Sequence, residues 1–501
     1  PRQQYRRGSR GRRGWSRGRM SLSTSSLLAG GAPSQAQRWG PRCGSSYTPA
    51  AHRRLSNRSY AAPSVLLRGR RGRSVDLAST EDGALDAVHR RAGRGGVVMP
   101  RASAIKRGLQ ETYDGVGRTV LMTGANSGIG LESSKQLVAA GCTVIMACRS
   151  VEKAQLAVSA VMPHATRGGR AEPAVLDLGS LASVRTFAEE FLESGAPLDV
   201  LVCNAGVAPD RDARSSDSVL RTVDGFERTF GVNHLGHFAL VKLLTPALVA
   251  SASPRRNNSS NKGVGAARVV ITSSSIHSAE NPDGRAGGPA TLGSLEGIMC
   301  DGKHFEMADG GSYDGNKAYK DSKLCNILFA RELAARLTAA GVGITCNTFS
   351  PGFIPTSRLF RNQGTLAQVF LKYLFNNPPL ATALPTAGTF MCEMVLGEEK
   401  GVTTGAYYCG PPDYQPEDEP TVLGFLRGLT YPQFKARLPS EEARRAQLGR
   451  RLWEVSESFV QETFDALDWA GVPASASTAG YAVELVERLA TGSAGAGAGA
   501  G

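Results

Sequence analysis

Residues 1–75 contain no acidic residue and no lysine. Because acids are absent there, the net positive charge of the chain is concentrated in this segment. The same segment holds 17 arginines. Removing them from the 58 basic residues leaves 41 against 44 acids, so residues 76–501 carry about −3. The formal charge of +14 therefore belongs to a tail, and the rest of the chain offers no overall positive field to a polyanion. We expect no nucleic-acid partner.

The sequence also lacks paired cysteines and long apolar runs. Its nine cysteines are scattered and form no CxxC pair, which favours reduced, buried thiols and predicts neither a disulfide framework nor a metal site. We expect no stretch to reach the ~18 apolar residues that a membrane-spanning helix requires. Any attachment to a membrane would then be peripheral.

Both ends of the chain differ in composition from its middle. From Met20 to Ser74 there are nine arginines, eleven serines and no acid, and such segments are typical of organelle transit peptides. We therefore predict a disordered basic leader over residues 1–99 that acts as a transit segment. The alternative is a disordered basic tail that carries no targeting signal. A C-terminal extension, 463–501, ends in a low-complexity Gly/Ala run that predicts no structure.

Short apolar runs alternate with helix-length segments between these ends. Continuous apolar strands that alternate with amphipathic helices are typical of a parallel sheet covered on both faces. The pattern predicts one α/β domain over 117–462, a doubly wound, Rossmann-type parallel sheet with substrate-covering insertions near 279–316 and 360–420. Ordinary surface loops are the alternative for the second insertion. The predicted strands are Thr119–Thr123, Thr143–Ala147, Ala174–Leu178, Asp199–Cys203, Arg268–Thr272 and Gly343–Thr348.

A glycine-rich loop lies between the first strand and the first helix. Its glycines allow a tight turn and a close approach to a pyrophosphate, while the helix N-terminus supplies N–H groups and a positive dipole. A glycine trio alone is weak support, but this one stands in the strand–helix context that a dinucleotide site requires. The predicted cofactor-binding residues here are Gly124, Asn126, Ser127, Gly128, Ile129 and Gly130.

The end of the second strand indicates which dinucleotide is bound. A carboxylate there would accept from a ribose 2′-hydroxyl, whereas this chain has Arg149 and Lys153, which favour a 2′-phosphate. We therefore predict NADPH, with solvated surface cations as the alternative. Residues after the third and fourth strands fit positions that flank the adenine and ribose, namely Asp177, Leu178, Asn204, Ala205 and Gly206.

Tyr319 and Lys323 lie four residues apart at the start of a long helical stretch, so both side chains share one helix face. A phenol has a pKa of roughly 10, and a neighbouring ammonium favours its ionised form. The pair therefore predicts a general acid, Tyr319, whose pKa Lys323 lowers while it also holds the ribose.

Together, the TGxxxGIG loop, the Asn-Ala-Gly triplet and the YxxxK pair resemble the short-chain dehydrogenase/reductase family. The resemblance covers about Arg118 to Phe360. It implies a catalytic tetrad of Asn233, Ser274, Tyr319 and Lys323, and a contact between Thr356 and the nicotinamide carboxamide.

A narrower resemblance comes from the long insertion between Ser274 and Tyr319, which lie 45 residues apart. Its Ala290–Gly297 segment, the stretch Tyr313–Asn326 and Leu452–Glu457 near the C-terminus look like light-dependent protochlorophyllide oxidoreductases. That resemblance implies light-driven transfer of hydride from NADPH to C17 and of a proton to C18 of protochlorophyllide. It also implies a chloroplast protein of chlorophyll biosynthesis, and leaves homo-oligomers and peripheral attachment to plastid membranes open.

One departure bears on this function. The oxidoreductases usually have Tyr-Pro-Gly-Cys where this chain has Ser350-Pro-Gly-Phe353, so proton delivery or pigment fit can differ. For Cys300 in the insertion, partial compensation for the missing thiol is one interpretation, and an ordinary buried or loop cysteine is the favoured one. Two alternatives follow. The Ser273–His277 segment resembles dark, NADPH-dependent carbonyl reductases of the retinol dehydrogenase kind. A non-catalytic dinucleotide sensor or scaffold would keep the glycine loop without needing Tyr319 and Lys323.

Overall fold

The computed structural model describes residues 113–208, 219–252, 267–285, 288–352, 354, 382–410 and 434–469. The predicted leader, most of the second predicted insertion, Phe353, Thr356 and the Gly/Ala-rich end lie outside these residues.

The described residues form an eight-stranded sheet with the order β3-β2-β1-β4-β5-β6-β7-β8. All neighbouring strands run parallel except β8, which is antiparallel to β7. The strand order reverses between β1 and β4, the switch point at which such sheets bind ligands. The doubly wound α/β prediction is confirmed. The strands are β1 (Thr119–Thr123), β2 (Thr143–Cys148), β3 (Arg170–Val175), β4 (Val200–Cys203), β5 (Ala267–Thr272), β6 (Ile344–Ser350), β7 (Tyr407–Cys409) and β8 (Lys435–Arg437).

Helices connect the strands and cover both faces of the sheet. The helices are α1 (Gly128–Ala139), α2 (Val151–Val161), α3 (Leu181–Glu193), α4 (Arg228–Phe230), α5 (Gly236–Ala252), α6 (Pro282–Arg285), α7 (Glu296–Asp301), α8 (Gly315–Ala339), α9 (Leu384–Leu396), α10 (Glu398–Val402) and α11 (Ala446–Trp469). A π-helical turn, Gly231–Leu235, joins α4 to α5, and 3₁₀ turns occupy Met162–His164, Ser275–His277, Gly302–His304 and Glu442–Arg444.

The first strand shows why the apolar runs predicted the sheet. All five residues of β1 are buried, and Val120, Leu121 and Met122 are 0% exposed. Because helices cover both faces of the sheet, the strand has no polar face and its sequence shows no alternation. Truncating Leu121 to alanine would cost about 2–5 kcal/mol, the range for deleting a buried aliphatic side chain.

The predicted third strand was displaced towards the C-terminus. The prediction was 174–178, whereas β3 spans Arg170–Val175 and contains Glu172 and Pro173. It pairs with β2 and lies at the edge of the sheet. An edge strand tolerates proline and exposed polar side chains, so its sequence lacks the apolar signal of the inner strands.

The prediction of a substrate-covering insertion over 360–420 is wrong for 384–410. Helix α9 packs against α1 and buries Phe390 and Met391, and the Gln136 amide donates to Pro385 O at 3.0 Å. Strand β7 then pairs with β6, so this region belongs to the core. Two Pro-Pro pairs in the stretch obscured one helix and one very short strand.

Residues 228–252 form one continuous helical segment, α4 to α5, of largely apolar composition. By length and composition it can cross a membrane, so the expectation that no such stretch exists is wrong. Leu240, Leu244 and Leu248 are buried where α5 packs against α3 and β5. Packing against the sheet accounts for the apolar composition of this helix.

The last described helix, α11, continues past the predicted domain end at 462 and packs on α8, α3 and α5. Its Trp453 ring is buried, with the Arg336 guanidinium 4.4 Å from the ring centroid. The Trp453 and Phe238 ring centroids are 4.9 Å apart, and Ser456 Oγ lies 2.9 Å from His234 Nε2. Aromatic packing and one buried polar contact thus fix α11 to the domain.

Candidate active site

The glycine loop follows β1 at the switch point of the sheet, as predicted. Gly124 and Gly128 have φ angles of +66° and +56°, a left-handed conformation that favours glycine. A Cβ at Gly130 would lie 2.6 Å from Gly124 O, so the loop needs glycine there as well. Ser127 is the N-cap of α1 and makes no side-chain cap bond, which leaves the first N–H groups of the helix available to an anion.

Thr123 joins the glycine loop to the loop after β4, and sequence analysis missed this role. Its Oγ1 accepts hydrogen bonds from Asn204 N at 2.9 Å and Ala205 N at 3.0 Å, and lies 2.9 Å from His237 Nε2. The Asn204 side-chain amide donates to Thr123 O at 2.9 Å. The predicted Asn-Ala-Gly triplet is thereby held against the loop that we expect to bind the pyrophosphate.

The residues predicted to contact the adenosine end lie at the carboxyl ends of β2 and β3. Arg149 and Lys153 are exposed, and Ser150 caps α2 by accepting from Lys153 N at 3.5 Å. Asp177 Oδ1 accepts from Gly179 N at 2.9 Å, which shapes the turn after β3. Both cations are therefore accessible beside the strand next to β1, where a ribose phosphate would lie.

Asn233 is fully buried in the π-helical turn between α4 and α5. Its Oδ1 accepts from Val207 N at 2.7 Å, and its Nδ2 donates to Val207 O and to Ser322 Oγ, both at 3.0 Å. Such π-helical turns are frequent at functional sites. The Asn233 amide thus connects the loop after β4 with α8.

Tyr319 and Lys323 lie on one face of α8, as their spacing predicted. The Lys323 Nζ atom is 5.6 Å from the centroid of the Tyr319 ring. Asp314 caps this helix, because its Oδ1 accepts from Asn316 N at 2.8 Å and from Lys317 N at 3.2 Å. The cap fixes the first turn of α8 just before Tyr319.

The prediction that Lys323 lowers the pKa of Tyr319 is wrong, because burial sets the direction of the shift. Tyr319 keeps part of its surface exposed, yet desolvation raises its pKa to about 12. Desolvation also lowers the pKa of Lys323 to about 8, and its Nζ donates to Thr272 O at 3.4 Å. Near neutral pH the phenol therefore holds its proton, and Lys323 is close to its own titration.

Gly206 brings the predicted cofactor and catalytic residues together. A Cβ at Gly206 would lie 3.4 Å from Asn233 Oδ1 and 3.5 Å from Lys323 Nζ. One residue earlier, Ala205 packs against the glycine loop, since a Cβ at Gly124 would lie 2.9 Å from Ala205 Cα. A continuous series of contacts thus leads from the glycine loop to the face of α8 that carries Lys323.

Ser274 follows β5 and caps the short 3₁₀ turn beyond it. Its Oγ accepts only a long, 3.5 Å bond from Ile276 N within this turn, so its O–H remains available to a substrate. Ser275 is held from two sides, by Asn281 Nδ2 donating to its carbonyl at 2.9 Å and by Ser350 Oγ accepting from its N–H at 3.1 Å. Ser350, where the pigment oxidoreductases have tyrosine, thereby supports the backbone next to Ser274.

The predicted first insertion contains the short helices α6 and α7 and is anchored to α8. Lys317 Nζ lies 2.7 Å from Asp321 Oδ2 and 2.9 Å from Asp309 Oδ2, and donates to Thr291 O at 2.8 Å. Burial raises the pKa of Asp321 to about 7 despite this cation. Cys300 is exposed on α7, unlike the other cysteines of the described part of the chain. Lys317 thus fixes the insertion beside Tyr319.

Comparison with known sequences gives a family model and close relatives. The family model "short chain dehydrogenase" matches residues 118–280. The chain is 34% identical over 352 residues to a protein of Cucumis sativus named "Protochlorophyllide reductase, chloroplastic", covering 68% of this chain and 77% of the relative. It is 33% identical over 349 residues to the human protein named "WW domain-containing oxidoreductase", covering 70% and 69%.

Comparison with solved structures finds similar folds. An uncharacterised protein from Mycobacterium paratuberculosis shares 26% identity at a TM-score of 0.46, and the match covers 70% of this chain and 97% of that one.

Proposed function

Because the chain belongs to the short-chain dehydrogenase/reductase family, and so is an oxidoreductase with a nicotinamide dinucleotide cofactor, we propose that it carries out the light-driven, NADPH-dependent reduction of the C17=C18 double bond of protochlorophyllide. The product is chlorophyllide. The observation that carries this proposal is the contact series from the glycine loop through Gly206 to Asn233 and Lys323.

The glycine loop supports a bound dinucleotide. The positive φ angles of Gly124 and Gly128, the open space at the Cβ position of Gly128 and the open N-terminus of α1 fit a pyrophosphate. The exposed Arg149 and Lys153 support the phosphorylated form of the cofactor. We propose that Asp177, Leu178 and the Asn204–Gly206 triplet flank the adenine and ribose, and that Thr356 contacts the nicotinamide carboxamide.

NADPH supplies the hydride to C17, and the chain supplies the proton to C18. Tyr319 is the proposed proton donor, since its raised pKa keeps the phenol protonated at neutral pH. Lys323, with a pKa of about 8, can take up or release a proton beside it and bind the nicotinamide ribose. Ser274 O–H is free to bind the substrate, and Asn233 holds the loop between the two halves of the site.

Light supplies the energy for this reduction, because a C=C bond lacks the polarity that opens a ketone to hydride attack. A C=C bond in a conjugated ring is weakly polarised, so hydride attack in the dark meets a large barrier. Excitation of the pigment lowers that barrier, while the protein aligns the reacting atoms and excludes water. The insertion is anchored beside α8, which supports the proposal that it covers a flat pigment.

The relatives named as chloroplastic support a plastid location for this chain. We propose that residues 1–99 are a transit segment, that attachment to plastid membranes is peripheral, and that the chain can form homo-oligomers.

The test is a flash experiment on the purified full chain with NADPH and protochlorophyllide. We expect chlorophyllide after illumination and none in darkness, followed by its absorbance and by chromatography. Product that forms equally in the dark would contradict the proposal.

A second candidate is a dark, NADPH-dependent carbonyl reductase of the retinol dehydrogenase kind. It is favoured by the Ser273–His277 segment and by the 33% identity to the human oxidoreductase. Dark oxidation of NADPH with retinal or a steroid ketone, without chlorophyllide after a flash, would select this function.

A further inference from the structure

His277 is a buried side chain that the proposed chemistry does not use. It ends the 3₁₀ turn after Ser274, is 2% exposed, and its ring centroid lies 5.1 Å from that of Tyr407 in an edge-to-face arrangement. Its Nδ1 is 2.7 Å from Ser274 O, and its Nε2 is 3.1 Å from Ser440 N. Both ring nitrogens therefore have backbone partners.

The two partners fix the tautomer of the ring. Ser440 N can only donate, so Nε2 accepts and carries no proton. The proton then lies on Nδ1, which donates to Ser274 O, as a carbonyl can only accept. Burial lowers the pKa of His277 to about 4, so this neutral form persists at physiological pH.

The segment that His277 contacts is also attached to the insertion. Glu442 Oε1 accepts from Leu292 N at 2.7 Å and from Thr291 Oγ1 at 3.1 Å. Residues 440–442 thus touch both the turn that carries Ser274 and the insertion beside α8. The Ser274 hydroxyl itself has a weak partner, so the backbone beneath it must set its direction.

We propose that His277 is a positioning residue: its Nδ1–H holds the Ser274 carbonyl and so aims the Ser274 hydroxyl at the substrate, while Nε2 ties this turn to the 440–442 segment. The inference rests on the proposed function for its substrate, but it applies to whichever reduction uses Ser274.

Two substitutions of His277 by amide side chains test its two hydrogen bonds separately. The amide of His277→Asn can occupy the place of Nδ1 and donate to Ser274 O, while it does not reach Ser440. The longer His277→Gln can place its Oε1 near Nε2 and accept from Ser440 N, but it loses the donor to Ser274 O. Both variants lose the ring that packs on Tyr407, so they are matched in this loss of packing.

The kinetic expectation is specific to positioning. We expect His277→Gln to lower kcat about tenfold, the effect of one lost hydrogen bond in the transition state, with KM for NADPH unchanged. We expect His277→Asn to keep kcat within about threefold of the parent. In a Ser274→Ala background, His277→Gln should cause no further loss of kcat.

Equal losses in the Asn and Gln variants, or losses that follow their melting temperatures, would show a merely structural role and overturn the proposal. The assay is the rate of chlorophyllide formation under continuous illumination. If the parent chain is inactive with the pigment but reduces retinal in the dark, the proposed function fails and the same comparison is made with retinal. A parent chain that reduces neither overturns both.

Discussion

The two halves of the sheet build their ends of the site by different means. Around β1 to β4 the backbone forms most of the expected pyrophosphate site, through positive φ angles at Gly124 and Gly128 and the open N-terminus of α1. Around β5 to β8 the site is held together by side chains that bond to residues far away in sequence. Examples are His277 with Ser440 and Glu442 with Leu292. The glycine loop is therefore encoded locally, whereas the substrate half depends on contacts between elements that are distant in sequence.

The sharpest test of the substrate half is Tyr319→Phe. The change removes the proposed proton donor while keeping the ring, so we expect kcat to fall about 10²–10⁴-fold. The affinity for NADPH, measured by fluorescence titration, should stay within about twofold. An unchanged rate would instead contradict the role of Tyr319 as the proton donor.

The corresponding test of the cofactor half is Gly124→Ala. Its φ of +66° and a Cβ 2.9 Å from Ala205 Cα predict strain of about 1–3 kcal/mol, hence a Kd for NADPH raised about 10–100-fold. Gly168→Ala is the matched control, since Gly168 has a φ of +79° and no atom near its Cβ position. Equal effects of the two changes on the Kd would contradict the role of the loop.

We expect a smaller effect on the preference for NADPH over NADH when its predicted determinants are replaced. Replacing Arg149 and Lys153 with alanine is expected to raise KM for NADPH about tenfold at low salt and to leave KM for NADH unchanged, because only NADPH carries the 2′-phosphate. Arg170→Ala, at an exposed arginine of the edge strand, should change neither value. A parallel rise for both cofactors would mean that the two cations do not contact that phosphate.

The smallest expected effect is a pH dependence of stability. The pKa of Lys323 is about 8 in the folded chain and about 10.5 when unfolded, so the unfolded chain binds more protons between these values. Stability should therefore rise with pH above 8, by about 1 kcal/mol between pH 8 and 9 relative to Lys323→Met. Urea unfolding at both pH values measures it, and equal slopes in the two proteins would contradict the burial of Lys323.

Sequence reasoning succeeded where a short segment determines its own structure. The glycine loop and the Tyr319–Lys323 spacing depend on neighbours in sequence, and the structure places both as expected. It failed for Thr123, His237 and His277, since a hydrogen bond across 100 residues or more leaves no local pattern.

The electrostatics of the Tyr319–Lys323 pair was also predicted wrongly. Spacing alone indicated that Lys323 would lower the pKa of Tyr319, but the burial of both groups decides the direction of each shift. Burial depends on packing from several elements, which a helix-spacing argument does not contain.

The position of α11 has a consequence for biosynthesis. This helix covers α8 and contributes Trp453, 130 residues after Lys323 in the chain. A ribosome that has just translated Lys323 has made the cofactor half of the sheet, yet the outer face of α8 still lacks Trp453 and its stacked Arg336. The nascent chain therefore contains its whole nucleotide loop early, whereas the catalytic helix gains its full packing only after α11 has been translated.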